Sequence, residues 1–390
     1  MVEMIKRNIL SSIKETLTKY PIIALTGPRQ SGKTTFLKNE LSDFKYVNLE
    51  DPELRAFVNR DPKGFLESYP GKVIIDEAQH ASALFSYLQV IVDDKREMGQ
   101  FILSGSQNFQ LMEKITQSLA GRVALFRLFP FDFSEMVGGE IFTDDTLKLM
   151  SKGFYPAIYD RSIDPDRYYS DYISTYVKRD VAQLVNLKDD RTFTNFIKLC
   201  AARAGHLVNF SLLARDAGIS HSTARNWINI LETSYIVTLI PPYFKNYNQR
   251  LIKSPKLYFY DCGLLAHLLG YRNGNISKAD TAWGHLFENM MVAEMIKQNA
   301  HLCQYRDFYF WRDSQGHEID LLYTENGILH LFEIKSSSTI QQNMFKEFDY
   351  FERIATSEVR ENTLVYGGAN DQKRTDYFVK SWMSPENDFT

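Results

Sequence analysis

The chain has 390 residues, of which 44% are hydrophobic and 14% aromatic, with a net charge of −3 and a pI near 6.3. That length predicts two or three domains, and the apolar content excludes a disordered chain. The near-neutral charge excludes global attraction to nucleic acid, so any such binding has to come from local patches. Cys200, Cys262 and Cys303 are scattered without a C-x-x-C pair, which argues against structural zinc or a disulfide framework. With no apolar leader and no run approaching the roughly 18 apolar residues of a membrane span, a cytoplasmic protein without membrane contact is expected.

The first predicted element is a buried strand over residues 22–26, followed by Gly27-Pro28-Arg29-Gln30-Ser31-Gly32-Lys33-Thr34. The loop fits G-x-x-x-x-G-K-[ST] without a mismatch, and Thr35 opens the helix that should follow. Backbone N–H groups of such a loop cradle phosphates, Lys33 reaches the β- and γ-phosphates and Thr34 binds Mg²⁺, so ATP and Mg²⁺ are the expected ligands. A second apolar strand over residues 73–75 ends in Asp76-Glu77, where Asp76 would hold the Mg²⁺ shell and Glu77 would polarise the attacking water. A third, over residues 101–103, delivers Ser104 and Ser106 to the same carboxyl edge of a parallel sheet, and either is a candidate γ-phosphate sensor. Arg122 is a candidate arginine finger, in cis or toward a neighbouring subunit of a homo-oligomer, or else an ordinary surface arginine.

Residues 164–199 place Tyr168, Tyr172, Ile173 and Tyr176 at helical spacing and read as a packing helix pair. Residues 209–231 predict a helix-turn-helix. Leu212, Leu213 and Ala217 fill one helix face, Gly218 turns the chain, Ser220 caps the second helix, and Ala224, Trp227, Ile228 and Leu231 pack back. Strands over residues 235–240 and 257–260 would complete a winged helix whose wing carries Lys245, Arg250, Lys253 and Lys256 with no acid among them. With Thr223, Arg225 and Asn226 on the recognition helix, this unit suits a phosphate backbone, DNA before RNA. Protein docking and a merely solvated basic turn are the alternatives.

An amphipathic helix follows over residues 284–296, with Glu288 either joining a metal site or capping the helix through its dipole. A strand over residues 308–312 leads into a hairpin of residues 317–325 and 328–335 turned at Asn326-Gly327. That turn sets Glu325 opposite Ile328, Asp320 opposite Glu333 and Glu318 opposite Lys335. Alternation then puts Asp320, Glu333 and Lys335 on one face and Ile319, Leu321, Phe332 and Ile334 on the other. Opposed carboxylates repel unless neutralised. Mg²⁺ held by Asp320 and Glu333 would neutralise them and acidify a bound water, while Lys335 stabilises charge on an attacked phosphate. The pattern suits phosphodiester hydrolysis, against the alternative of a Glu–Lys pair that only holds the sheet.

Residues 25–34 with Asp76, Glu77 and Gln79 resemble the AAA-type P-loop ATPases of bacteria and archaea in which Leu-Thr-Gly-Pro-Arg-Gln-x-Gly-Lys-Thr leads to Asp-Glu-x-Gln. The remainder resembles the uncharacterised C-terminal region that accompanies that ATPase. The matching stretches are Tyr176-Val177-Lys178-Arg179-Asp180, Tyr260-Asp261-Cys262-Gly263-Leu264, Phe287-Glu288-Asn289, Phe310-Trp311-Arg312 and Glu318-Ile319-Asp320. Its last part is similar to the PD-(D/E)xK restriction-endonuclease-like superfamily, whose helix Glu, strand Asp and Glu-x-Lys fall on Glu288, Asp320, Glu333 and Lys335. Ile319 stands where the superfamily's name has proline, and the superfamily includes members without cleavage activity. The expected fold is α/β: a P-loop AAA-type parallel sheet over residues 1–140, a helical and winged-helix domain over 141–275, and a restriction-endonuclease-like α/β domain over 276–390. Three functions compete: an ATP-dependent nuclease, an ATP-switched regulatory protein whose nuclease-like domain is a docking surface, and a chaperone-like AAA assembly.

Overall fold

Five short apolar runs form the N-terminal sheet: β1 (Ile22–Thr26), β2 (Lys45–Asn48), β3 (Val73–Asp76), β4 (Phe101–Ser104) and β5 (Val123–Arg127). The computed structural model describes residues 4–105, 108–176, 190–244, 253–272, 274–355 and 359–384. The strand order is β2-β3-β4-β1-β5, with every pair parallel. Alternate residues divide between two cores. Ile22, Ala24, Val73, Ile75, Phe101 and Leu103 face the helices Leu84–Lys95 and Asn108–Ser118, while Ile23, Leu25, Ile74 and Ile102 face the helices Leu10–Thr16 and Lys33–Glu40. Helices on both faces explain why these strands read as unbroken apolar runs. All five strands end at one edge, which carries the P-loop, Asp76-Glu77 and Ser104.

In the middle of the chain, capping chemistry sets the helix ends. Asn209 accepts the Leu212 N–H at 3.0 Å to start Phe210–Ala217, Gly218 ends that helix at φ 67°, and Ser220 accepts the Thr223 N–H at 3.1 Å to start His221–Thr233. Ala224, Trp227, Ile228 and Leu231 are buried against the core. Strands β6 (Val237–Ile240) and β7 (Lys256–Phe259) then pair antiparallel. Both differ from the expected ranges for local reasons. Tyr235 adopts a left-handed φ of 57° and cannot open β6, and Asp261 caps the helix Cys262–Leu268 through the Leu264 N–H, which leaves Tyr260 outside β7. In exchange Lys256 becomes a strand residue, with its side chain only 2% exposed, so it is not part of a basic wing. Lys245 and Arg250 lie outside the described residues.

The C-terminal sheet is mixed, in the order β12-β13-β11-β10-β9-β8. Its strands are β8 (Tyr309–Arg312), β9 (Glu318–Glu325), β10 (Ile328–Lys335), β11 (Val359–Tyr366), β12 (Gln372–Lys373) and β13 (Phe378–Ser381). Asn326 and Gly327 both take positive φ, 51° and 79°, as a two-residue hairpin turn requires, and Glu325 faces Ile328. One face packs on the helix Lys346–Ile354 and the other on the long helix Trp283–His301.

That long helix is not amphipathic as its sequence suggested. It is buried almost all round, including Glu288, Asn289, Glu294, Lys297, Gln298 and His301, because it packs against β5, β7 and β10 together. Its polar side chains serve the backbone of those neighbours. Asn289 donates to the Phe259 carbonyl at 3.0 Å and accepts the Phe259 N–H at 2.8 Å. Glu294 accepts the Phe133 N–H at 2.7 Å, Lys297 donates to the Phe131 carbonyl at 2.7 Å and pairs with Glu294 at 2.8 Å, and His301 Nε2 accepts the Phe129 N–H at 3.1 Å. Among the described residues no helix is long and apolar enough to cross a membrane.

Lys297→Met leaves Glu294 an uncompensated buried charge and the Phe131 carbonyl without its donor. Urea unfolding is expected to show a loss of about 3–5 kcal/mol. The double variant Lys297→Met/Glu294→Gln is expected to recover most of it, because the amide still accepts the Phe133 N–H without the charge. A double variant as unstable as the single one contradicts this reading.

Candidate functional site

The P-loop is shaped by its left-handed residues. Gly27 sits at φ 142°, where a Cβ would come within 2.2 Å of the Leu128 carbonyl oxygen, and Gln30 and Gly32 take φ 62° and 94°. The loop thus turns back onto the start of Lys33–Glu40, aiming its N–H groups at one point. Lys33 is buried and donates to the carbonyls of Gly27 and Pro28, both at 2.8 Å. Burial pulls its pKa down to about 8, against the opposing pull of Glu77 and Asp76.

Asp76 is the most heavily hydrogen-bonded carboxylate of this edge. It receives Thr34 Oγ1 at 2.9 Å, the Tyr46 hydroxyl at 2.6 Å and Ser104 Oγ at 2.5 Å. Thr34 and Asp76 therefore sit side by side, a donor set that fits a Mg²⁺ shell of hydroxyl and water-bridged carboxylate. Ser104 is fully buried, donates its hydroxyl to Asp76 and is not among the residues that line the cleft beside the loop. Ser106 lies outside the described residues. Glu77 holds a left-handed φ of 53° and accepts from Gln79 Nε2 at 2.5 Å.

A cleft of about 570 Å³ opens beside the loop, lined by Arg7, Arg29, Gln30, Lys33, Thr34, Thr35, Glu77 and Arg161 among others. The Arg29 guanidinium lies 5.6 Å from the Tyr176 ring centre. The Ser31 side chain is buried under the loop, and its carbonyl accepts from Arg7 at 3.0 Å. Arg7 also donates to the Phe129 carbonyl at 2.6 Å and pairs with Glu135 at 2.9 Å. Neither Arg7 nor Tyr46 carried a sequence signal, since both reach the site from distant positions. Arg122 is a correction. It precedes Val123, which pairs with Ile22 at the amino edge of the sheet, and it is held by Asp93 through two bonds of 2.6 and 2.8 Å. It is not a finger for its own P-loop.

The second site lies on the C-terminal sheet. Between β8 and β9 the register runs from Tyr309↔Leu322 to Trp311↔Ile319, one extra residue on β9 and hence a bulge beside Asp320. Ile319 is thereby turned into the core that holds Leu322, Trp311 and Phe348, whereas Leu321, Phe332 and Ile334 face the other core as expected. The regular β9–β10 ladder ends at Phe332↔Leu321. Beyond it, Asp320 Oδ2 accepts the Ile334 N–H at 2.8 Å in place of a backbone carbonyl. Lys335 reaches back to Asp320 at 3.0 Å and Glu333 at 2.6 Å. Glu318 pairs with Arg312 and Lys256, not with Lys335.

Glu288 joins this cluster. It lies inside the helix, past its first turn, so it is no cap, and it accepts from Tyr258 at 2.7 Å and Lys256 at 3.0 Å. Lys256 and Tyr258 were missed; the one signal for them was a lysine opening an otherwise apolar strand. Burial and then Asp320 push the Glu333 carboxyl well above its usual range, against Lys335. Burial also pushes Asp320 up, but Lys335 and Lys256 outweigh it and hold that carboxyl low. Glu333 Oε1 is buried without a hydrogen-bond partner and its residue lines the open cleft with Asp320, Lys335 and Glu318. An orphaned carboxylate oxygen next to an ionised one fits a single hard cation that keeps several waters.

On the helix His221–Thr233, Arg225 and Asn226 are exposed on one face, with the Arg225 guanidinium 4.6 Å from the Phe210 ring centre. Thr223 is turned away into its own cap, 2.8 Å from Ser220 Oγ. Lys253 is exposed.

Comparison with known proteins divides the chain in three. Residues 19–137 match an AAA domain, residues 143–275 a domain of unknown function (DUF8612) and residues 283–384 another (DUF4143). Two uncharacterised proteins, Rv2008c of Mycobacterium tuberculosis and Mb2031c of Mycobacterium bovis, are each 32% identical over 337 residues, 86% of this chain and 74% of theirs. Among solved structures, a Walker-type ATPase of Pyrococcus abyssi aligns over 68% of this chain and 96% of its own at 14% identity and a TM-score of 0.42. RuvB of Thermotoga maritima aligns over 60% and 89% at 16% identity and a TM-score of 0.28. The chain belongs to the family of the two mycobacterial proteins, and it carries an AAA-type P-loop ATPase domain followed by two domains of unknown function.

Proposed function

We propose that this protein is an ATP- and Mg²⁺-dependent ATPase that governs a metal-dependent phosphodiesterase site acting on nucleic acid, DNA before RNA. The observation that carries the second half is the convergence of Asp320, Glu333 and Lys335, from two strands, on a cleft with an unpartnered Glu333 oxygen, with Glu288 of the long helix joined to Asp320 through Lys256. This is the arrangement that the resemblance to the PD-(D/E)xK superfamily leads one to expect, with Ile319 in the place of proline. The division proposed is the ATPase over residues 1–140, the helical and winged-helix unit over 141–275 and the nuclease-like unit over 276–390.

At the first site Lys33 exchanges its two carbonyl partners for phosphate oxygens, and the loop N–H groups take the remaining charge. Thr34 and Asp76 would hold Mg²⁺, which when bound would supply charge neutralisation at the phosphates, and Glu77, which accepts from Gln79, would align the attacking water. Among the described residues Arg7, Arg29 and Arg161 bring guanidinium groups to the lining of the cleft. At the second site Asp320 and Glu333 would hold Mg²⁺, which when bound supplies an acidified water and Lewis acidity. Lys335 stands beside both carboxylates, where its ammonium balances charge on an attacked phosphate. Exposed Arg225, Asn226 and Lys253 are the described groups available to a phosphate backbone.

The two sites are joined by one helix. Trp283–His301 carries Glu288 near its start, and its last residue, His301, lies 3.5 Å from Glu135, the partner of Arg7. Arg7 holds the P-loop through the Ser31 carbonyl. A second reading, an ATP-switched docking protein, is favoured by Lys335 and Lys256 already compensating the acidic cluster.

Lys33→Ala is expected to abolish binding of a fluorescent ATP analogue, whereas Glu77→Gln should keep binding and lose hydrolysis by roughly 10²–10⁴-fold. Equal loss of binding in both variants contradicts these roles. Because the free protein's Lys33 titrates near 8 and phosphate favours its charged form, affinity should be flat below that pH. Above it, affinity should fall by up to about tenfold per unit. Lys33→Arg should lack this fall; a wild-type profile that stays flat to pH 9.5 rules the linkage out. Labelled single- and double-stranded DNA and RNA with Mg²⁺ or Mn²⁺ should show cleavage that disappears in Asp320→Ala. No cleavage of any substrate while ATP is still hydrolysed hands the C-terminal unit to the docking reading.

A further inference from the structure

The three guanidinium groups that line the nucleotide cleft are held in different ways. Arg7 serves fixed partners, the Ser31 and Phe129 carbonyls at 3.0 and 2.6 Å and Glu135 at 2.9 Å, so moving it would strip the loop of support. Arg161 follows the short helix Pro156–Asp160, at the helix end of the loop, where a Cβ on Gly32 would come 3.7 Å from Pro156. Its side chain is 71% exposed and 4.0 Å from Asp160.

Arg29 belongs to the loop itself. It is half-buried and lines the cleft with Lys33 and Glu77. After burial, and against the pull of Glu77 and Asp76, the Arg29 charge is a further cause of the lowered Lys33 pKa. The guanidinium is therefore within electrostatic reach of the ammonium that meets the β- and γ-phosphates. It lies 5.6 Å from the Tyr176 ring centre, a cation–π distance. Tyr176 comes from the middle of the chain and is firmly seated. It is buried, its hydroxyl donates to the Ser234 carbonyl at 3.1 Å, and its ring centre is 5.1 Å from that of Tyr172. Tyr235, next after Ser234, places its hydroxyl 2.9 Å from Oγ1 of Thr26, the last residue before the loop. The ring that receives Arg29 is thus fixed beside the P-loop by the residues that join the middle region to β1.

We propose that Arg29 is a catalytic arginine acting on the nucleotide of its own chain, parked on Tyr176 until a γ-phosphate draws it off. This rests on the ATPase reading and fills the role for which Arg122 is misplaced. A guanidinium meets phosphate oxygens through two parallel charge-assisted bonds, which a contact with one ring does not match. In hydrolysis the water oxygen bonds to the γ-phosphorus and the bond from that phosphorus to the bridging oxygen breaks. ADP leaves with the electron pair, and the water proton passes to Glu77. Charge grows on the bridging oxygen as its bond breaks, and the Arg29 guanidinium balances it there.

The test is trapping of Mg-ADP by aluminium fluoride, which stands in for the transferring phosphoryl group, with ADP affinity and ATP hydrolysis measured on the same full-length variants. Arg29→Ala is expected to keep ADP affinity within about twofold, to lose the trap, and to hydrolyse ATP on the order of 10³-fold more slowly. Arg29→Lys keeps the charge without the planar fork and should recover little of the rate; it carries the test if Arg29→Ala does not fold. Mixing Arg29→Ala with Lys33→Ala should restore nothing, because each guanidinium serves its own site. In Glu77→Gln protein, Tyr176→Met should tighten ATP severalfold and leave ADP unchanged, and Arg29→Ala should remove that difference. Equal tightening of both nucleotides, or of neither, overturns the parking on Tyr176. A trap of wild-type strength in Arg29→Ala, or activity restored by mixing, overturns the catalytic role and leaves the ATPase reading standing. A trap lost in Arg161→Ala but kept in Arg29→Ala does the same. A wild type that neither traps ADP nor hydrolyses ATP overturns the ATPase reading, and this role with it.

Discussion

Every backbone N–H and C=O that folding buries must find a partner, and the helix Trp283–His301 meets that demand for two distant parts of the chain at once. Asn289 pairs with both backbone groups of Phe259 as a neighbouring strand would. Glu294, Lys297 and His301 serve Phe133, Phe131 and Phe129, the segment that leaves the ATPase sheet after β5. Pulling the helix from either neighbour strands buried donors and acceptors at about 1–3 kcal/mol each. The apolar packing agrees, because one core begins at Phe131, takes in the middle helices and ends at Trp382. A sequence that divides into three matched regions is thus held by one core to which all three contribute, the first through Phe131, Phe133 and Met136, and the hydrogen bonds of the long helix reinforce it.

This arrangement has a mechanical consequence. Lys33 and Arg7 both hold carbonyls of the P-loop, and bound phosphates compete for Lys33. Arg7 is also tied to Glu135, and Glu135 and Asp132 flank His301 at the end of the long helix. Near the start of the same helix, Glu288 meets Lys256, which spans to Asp320. Packed, fully paired junctions of this kind shift between discrete arrangements more readily than they bend. Nucleotide-dependent control of the acidic site needs only that the Arg7 junction have two such arrangements.

The parts legible in the sequence were those written in local chemistry. Gly27 and Gly32 announce the loop because only glycine suits the backbone there, and Asn326-Gly327 sets the hairpin because both residues must take positive φ. Asn209, Gly218 and Ser220 mark helix ends for similar reasons. What could not be read depends on contacts far apart in the chain. The bulge at Asp320 is a property of the β8–β9 pairing, and it moved Ile319 to the other core. Ser104 was placed at the right edge, but its hydroxyl went to Asp76, and Arg122 was captured by Asp93 at the wrong end of the sheet. Lys256 read as a basic wing residue because its one local signal, a lysine opening an otherwise apolar strand, says nothing of the three carboxylates from β9 and the long helix that surround it.

The central claim is that the nucleotide site and the acidic site are two ends of one structural unit. Amide hydrogen exchange tests it most directly, comparing the Glu77→Gln protein with and without Mg-ATP, and repeating the comparison in an Arg7→Ala background. The account predicts altered protection in residues 129–135, 283–301 and 318–335 as well as in the P-loop, with the distant changes lost when Arg7 is removed. Protection that changes only around β1, β3 and the P-loop would contradict it.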